Sequence, residues 1–387
     1  MTGFDGVLRE RLEAMREGGL ERHLPEFRGD LIDLCSNDYL GLAKSPELRM
    51  RIAAAVAAEE ERVGSTGSRL LTGNSELAEE TERELATHFQ GEAALVFSSG
   101  YAANVGLISA VVGREDVVLF DELIHASLRD GIRLSGVKGW KFRHNNLSDL
   151  SDKLARAPRR GRVWVVVESV YSMDGDRCPL REVVALCERW GADCIVDEAH
   201  STGIFGKNGS GMVVDEGLED RVVARVHTFG KGVGVHGACV VGSSVLRRWL
   251  INRARSFVYS TAPADTFFIA IREAVRAGGG EEGDARRRAL WDRISVMEAV
   301  LGAAGLAWRG ESPIVPIVMP GVAVVRAMAT AAREAGYQVL PILAPTVPSG
   351  LERIRVCLHA GDDPAVYKSL IQVFEEQGWR AGLGGGE

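Results

Sequence analysis

Lys231 lies in Thr228-Phe229-Gly230-Lys231-Gly232, 31 residues beyond the histidine of Asp197-Glu198-Ala199-His200. A lysine amine can hold an aldehyde as a Schiff base, and a carboxylate can keep a pyridine nitrogen protonated. Those are the two demands of pyridoxal phosphate chemistry, and Lys231 and Asp197 fit them. Thr228, just before the lysine, can offer its hydroxyl to a phosphate. The segment Ser98-Ser99-Gly100-Tyr101-Ala102-Ala103-Asn104 passes from a β-rich run into a helical one. Ser99 there reads as an ordinary helix N-cap, or as part of a cradle in which the N–H groups of Gly100 and Tyr101 face an anion. His125, in His125-Ala126-Ser127-Leu128, can lie over an aromatic ring or simply open a helix.

Both leading segments have decoy readings. Asp-Glu-Ala-His also spells a helicase box, which requires an upstream Gly-x-x-x-x-Gly-Lys-[Ser/Thr] loop to hold nucleotide phosphates. The Gly-Lys pairs present, Gly206-Lys207 and Gly230-Lys231, lie downstream and are followed by Asn208 and Gly232. Gly232-Val233-Gly234-Val235-His236-Gly237 is a literal Gly-x-Gly-x-x-Gly. A dinucleotide fingerprint opens a helix and needs an acidic residue about 20 positions on. Here the glycines lead into an apolar strand, Ala238-Cys239-Val240-Val241, and the region 20 further on is Arg253-Ala254-Arg255-Ser256-Phe257. They make room for a flat ring beside Lys231.

The elements that must position these residues follow from periodicity. Short β-rich runs at 93–97, 117–120, 139–142, 163–168, 194–197, 222–227 and 238–242 alternate with helical patterns, which predicts βαβ units and a mostly parallel sheet. Val163-Trp164-Val165-Val166-Val167 has no polar alternation and reads as a strand buried on both faces. Ligands of such sheets lie beyond the carboxyl ends of the strands. Asp197 closes one strand, Ser172 follows another, Lys231 a third, and Asp121 and His125 a fourth. Residues 1–40 read as an N-terminal arm with a charged amphipathic helix over Leu8 to Glu17, and 41–277 as a large domain. Residues 278–387 read as a smaller α/β domain that begins where the glycine run 278–283 breaks the pattern. Its helices are expected near 284–304, 322–336 and 363–377, and its strands near 314–319 and 351–358.

The apolar fraction of 46%, with 26% charged residues, fits a globular enzyme of more than one subdomain over 387 residues. A net charge of −7 without a basic stripe argues against nucleic acid as a partner. Arg286-Arg287-Arg288 reads as a solvated helix face. The six cysteines (Cys35, Cys178, Cys187, Cys194, Cys239, Cys357) contain no Cys-x-x-Cys pair and read as reduced, buried thiols. No signal-peptide pattern and no membrane-length apolar run is present, so a cytoplasmic protein is expected. No metal site is expected.

The residues then resemble a family, the α-oxoamine synthases of the fold-type I pyridoxal phosphate enzymes, from about Ser36 to about Leu358. The landmarks are Ser36-Asn37-Asp38-Tyr39-Leu40-Gly41-Leu42, Gly64-Ser65-Thr66-Gly67-Ser68-Arg69, Ser99 to Asn104, His125 to Leu128, Tyr171-Ser172-Met173-Asp174-Gly175-Asp176, Val196 to His200, Thr228 to Gly232 and Tyr259-Ser260-Thr261. The resemblance implies an α/β fold with a large, mostly parallel seven-stranded sheet domain, a smaller C-terminal α/β domain and an N-terminal arm. It implies a pyridoxal 5'-phosphate-dependent C-acyltransferase.

By that resemblance Lys231 is the Schiff-base lysine, Asp197 pairs with the pyridine nitrogen, His200 contacts the ring hydroxyl oxygen, and His125 stacks on the ring with Ser172 beside it. Ser99, Gly100, Tyr101 and Thr228 hold the phosphate. Thr261 reaches the phosphate of a neighbouring subunit, which implies a homodimer with shared sites. Asn37 and Arg355 match positions that bind the amino-acid carboxylate, a task that suits a planar guanidinium. Arg22 is the nearest candidate for an arginine expected in the arm, and Ala78 stands where many relatives carry histidine. Likeness along whole segments favours decarboxylative condensation of L-alanine with a pimeloyl thioester, on coenzyme A or an acyl carrier protein, in biotin biosynthesis. Members that join glycine to acetyl-CoA or serine to a long acyl-CoA share the same cofactor residues, so those readings stay open, as does a non-catalytic partner subunit of the same fold.

Overall fold

The computed structural model describes residues 3–24, 29–58, 64–158 and 160–380. Two compact units divide the chain. One is Asn37–Ser172 with Asp176–Leu290; the other gathers the described residues of Met1–Ser36, Met173–Gly175 and Trp291–Glu387. The first strand, β1 (Ile32–Asp33), belongs to the second of these.

The larger unit carries β2 (Ala93–Phe97), β3 (Val117–Asp121), β4 (Trp140–Phe142), β5 (Val163–Glu168), β6 (Asp193–Asp197), β7 (Ala224–Thr228) and β8 (Ala238–Gly242) in one sheet of order β2-β8-β7-β6-β5-β3-β4. The pairs β4·β3, β3·β5, β5·β6 and β6·β7 are parallel, while β8 runs antiparallel to both β2 and β7. The reversal follows from chain length. Only residues 229–237 join β7 to β8, fewer than the dozen or so that a parallel crossover needs. All strands except β8 therefore end at one edge of the sheet, and β8 starts there. Every residue of β5 is buried, as its valine run requires. Each valine of that run contributes about 1.5–3 kcal/mol through burial.

The glycine run does not act as a linker. Helices Asp265–Gly279 and Glu281–Ala303 are separated by Gly280 alone. Glu281, Glu282 and Asp284 fill the first turn of the second helix, where carboxylates complement the helix dipole. A Cβ on Gly283 would lie 1.9 Å from the Gly278 carbonyl oxygen, so these glycines permit a tight helix junction. The two units divide further on, inside the second helix, between Leu290 and Trp291.

The second unit holds β9 (Ile314–Val318), β10 (Tyr337–Gln338), β11 (Pro341–Ile342) and β12 (Arg353–Cys357). β12 is the middle of an antiparallel sheet β11-β12-β9, and β1 pairs in parallel with β10. That pairing groups the N-terminal residues with this unit. Helix Ala365–Glu376 buries Tyr367, Leu370, Ile371 and Phe374, an i, i+3, i+4, i+7 stripe. Helix Gly3–Glu17 begins before Leu8 and buries none of its residues. No disulfide joins the six cysteines; Cys35 is half-buried and the others are buried. Among the described residues, no helix is long and apolar enough to cross a membrane.

Candidate active site

A cleft of about 290 Å³ opens in the larger unit, lined by residues that include Asn37, Gly100, His125, Asp197, His200 and Lys231. Its geometry follows from the shared strand edge. Glu168 and Asp197 end β5 and β6, and the register sets them side by side. Thr228 ends β7, and Lys231 lies in the hairpin to β8. Bonds from Gly234 N to Lys231 O (2.9 Å), Val235 N to Phe229 O (2.8 Å) and Phe229 N to Gly237 O (2.9 Å) fix that hairpin. Gly234 and Gly237 take φ of +76° and +119°, a region that non-glycine residues rarely adopt.

Asp197 is 4% exposed. Its Oδ2 accepts from Asn104 Nδ2 at 2.7 Å and its Oδ1 from Ala199 N at 2.9 Å. Asn104 also donates to Ser127 Oγ at 2.9 Å, while its own Oδ1, although buried, meets no hydrogen-bond partner among the described residues. A carboxylate oriented in this way at the cleft suits a cationic ring nitrogen. Sequence reasoning assigned Asn104 no role, although a lone amide in the apolar helix Gly100–Val111 was a signal.

Glu168 was also missed as a site residue, having been read only as the end of a strand. It is 2% exposed, and its Oε1 accepts from His125 N. Burial, and then the neighbouring Asp197 carboxylate, hold its pKa well above the usual carboxylate range. A carboxyl group whose pKa is raised by folding binds its proton more tightly in the folded state. It therefore costs stability as pH rises from the unfolded value of about 4.3 toward the folded one. Glu168→Gln keeps the shape and removes the titration. Thermal unfolding across the acid-to-neutral range should give a variant Tm close to wild type near pH 4, and increasingly above it as pH rises.

His125 both lines the cleft and caps helix Ala126–Ser135. Its Nδ1 accepts from Ser127 N at 3.3 Å and lies 2.7 Å from Ser127 Oγ. Burial lowers its pKa, so the ring is biased toward its neutral, flat-stacking form. Ser99 is likewise both a cap and a cleft residue, its Oγ accepting from Ala102 N at 3.2 Å. The N–H groups of Gly100 and Tyr101 are then ones the helix itself does not use. A Cβ on Gly100 would meet Thr228 Cγ2 at 2.5 Å, so helix start and threonine adjoin as a cradle in which a side chain has no room. Gly100→Ala should weaken phosphate-anchored cofactor binding at least about tenfold, since losing roughly 1.4 kcal/mol of hydrogen bonding has that effect; a fluorescence titration measures it.

The remaining residues expected from the sequence are spread more widely. Ser172 is half-buried in the turn after β5 and is not among the cleft-lining residues. Thr261 is exposed and lines a separate depression with Arg69, Ser98 and Phe257. Arg355 is buried on β12 of the other unit, its Nη1 2.9 Å from Cys357 Sγ. Arg22, also in that unit, is exposed and donates to Thr346 Oγ1 at 3.4 Å. His200 Nδ1 lies 2.8 Å from Tyr39 Oη, a partner that spacing along the chain could not reveal.

Residues 29–374 match the family model described as aminotransferase class I and II. An 8-amino-7-oxononanoate synthase of Anaeromyxobacter sp. (strain Fw109-5) is 42% identical, covering 96% of each chain. Relatives of the same name range from 37% to 44% identity. Among solved structures, a Sphingomonas wittichii serine palmitoyltransferase superposes with TM-score 0.87 at 29% identity, covering 97% of each chain. An 8-amino-7-oxononanoate synthase from Francisella tularensis superposes with TM-score 0.76 at 25% identity, covering 90% of this chain and 98% of its own.

Proposed function

The chain belongs to the class I and II aminotransferase family, and from that premise we propose that it condenses L-alanine with a pimeloyl thioester to form 8-amino-7-oxononanoate, CO2 and a free thiol, in biotin biosynthesis. The observation that carries this reading is the 42% identity, over nearly the whole chain, to a protein of that name. The cofactor is pyridoxal 5'-phosphate, and the cleft fits it: a buried carboxylate, a lysine, a neutral-biased imidazole and a helix start without room for a side chain. When bound, it supplies the electron sink that makes the amino-acid Cα acidic.

The chain's own residues supply the rest. Lys231 Nζ would hold the cofactor aldehyde, and as a free amine it would be the base that takes the Cα proton. Asp197 keeps the ring nitrogen protonated, with Asn104 and Ala199 N orienting its two oxygens. His125 would stack on the ring and His200 would serve the ring oxygen, and Ser172 is the further candidate to line the ring. Ser99, the N–H groups of Gly100 and Tyr101, and Thr228 hold the phosphate. Asn37 offers its amide to the amino-acid carboxylate, and Arg355 is the guanidinium that the resemblance assigns to carboxylate binding. Arg22 is the candidate for acyl recognition.

A homodimer acting in the cytoplasm belongs to the same reading, with Thr261 serving the neighbouring subunit's cofactor. Two observations support it. Thr261 is exposed, away from its own chain's cleft, and Tyr259 beside it is 74% exposed. The segment is also built rather than loose: Ala262 N donates to Gly67 O at 3.0 Å and Ser65 Oγ to Pro263 O at 2.9 Å.

The likeness to serine palmitoyltransferase keeps a second substrate pair in view. Steady-state assays with alanine and pimeloyl thioester, glycine and acetyl-CoA, and serine and palmitoyl-CoA separate them. The first pair should lead in kcat/KM by about a hundredfold or more, the usual reach of pocket discrimination. A lead for either other pair would replace this reading.

A further inference from the structure

Tyr39 is wholly buried and does not line the cleft, yet it touches two residues that do. Its Oη donates to Asn37 Oδ1 at 2.9 Å and lies 2.8 Å from His200 Nδ1. The turn that carries it is fixed. Tyr39 N donates to Asn37 O and Gly41 N to Asp38 O, both at 2.8 Å, Gly41 takes φ of +67°, and Arg286 Nη1 donates to Leu40 O at 2.9 Å. The turn also abuts the lysine hairpin, because a Cβ on Gly234 would lie 2.5 Å from Ala43 N.

We propose that Tyr39 is a positioning residue that couples the amino-acid site at Asn37 to the cofactor site at His200 through the placement of one hydroxyl proton. The coupling rests on the reading of Asn37 as a carboxylate ligand. A carboxylate only accepts hydrogen bonds, so Asn37 must present Nδ2–H to it, which turns Oδ1 toward Tyr39. Tyr39 then spends its only proton on Asn37, and its oxygen must accept from His200 Nδ1–H. In a neutral imidazole, a proton on Nδ1 makes Nε2 an acceptor. The reverse arrangement turns the Asn37 amide over. Nδ2–H then donates to Tyr39, Tyr39 donates to His200 Nδ1, and Nε2 becomes the ring's donor. Amino-acid binding thus selects which character His200 shows toward the cofactor's ring oxygen, and Tyr39 is the only link in that chain that meets neither ligand.

The test uses the holoenzyme and two readouts. In the wild type, 15N resonances of His200, assigned by their loss in His200→Gln, should report the imidazole proton moving to Nδ1 when L-alanine is added. In Tyr39→Phe that response should vanish, the L-alanine Kd should rise about tenfold, as the loss of one buried hydrogen bond implies, and the pH midpoint of the cofactor's visible band should cease to depend on alanine. An unchanged His200 tautomer in alanine-saturated wild type overturns the coupling, as does a Tyr39→Phe variant with wild-type Kd and band midpoint. If alanine perturbs the wild-type band not at all, the substrate reading itself falls, and this coupling with it.

Discussion

Replacing Lys231 with alanine should lower turnover about ten-thousandfold, the upper range for removing a positioned acid–base group, and should abolish the visible band of the covalently held cofactor. In the proposed reaction Lys231 acts twice, as the amine that holds the aldehyde and as the base at Cα. The hairpin that carries it is fixed by its own backbone bonds, with positive-φ glycines at 234 and 237. Lys231 is half-buried at the cleft, so its truncation empties no core, and the variant should fold and unfold near the wild-type Tm. Two roles in one side chain also predict the pattern of rescue. An added small amine can replace the base but not the tether, so it should restore part of the turnover while the covalent adduct at position 231 stays absent.

Asp197→Asn should cost about a thousandfold in kcat, the scale of a preorganised charge facing a developing one, with little change in stability. The substitution removes the negative charge proposed to keep the ring nitrogen protonated and preserves the outline of the side chain. The hydrogen bonds can be remade. Ala199 N still finds an oxygen, and Asn104 can turn its amide so that Oδ1 accepts from the new Nδ2, at the cost of its donation to Ser127 Oγ. A loss confined to kcat, with cofactor affinity within a few fold of wild type, is the expected signature. Loss of the Asp197 charge also removes one of the causes that raise the Glu168 pKa, so the stability of Asp197→Asn should depend less on pH than that of the wild type.

The sequence exposed these residues unevenly, for physical reasons. Strand positions were legible because burial on two faces leaves an unbroken apolar run, as in Val163–Val167, and a parallel sheet sends its polar residues to the strand ends, where Asp197 and Glu168 stand. The reversal of β8 was not read, although the short 229–237 connection encoded it. The glycine run 278–283 looked like a break because composition does not reveal that a glycine is packed against a carbonyl rather than exposed in a loop. Asn104 carried only the hint of a lone amide in an apolar helix, and Tyr39 carried no local signal of its role. Their partners, Asp197 and His200, lie 93 and 161 residues away in the chain and meet them only after folding. Ser99 and His125 were read as cap or ligand residue, and each caps a helix from a position on the cleft.

The reaction proposed for this cleft joins alanine to a pimeloyl group and expels the amino acid's own carboxylate. Purified holoenzyme given L-alanine labelled with 13C at the carboxyl carbon, together with a pimeloyl thioester, should release one labelled CO2 for each thiol freed, and the 8-amino-7-oxononanoate formed should carry no label. Thiol release without labelled CO2, or a product that retains the label, would rule this reaction out.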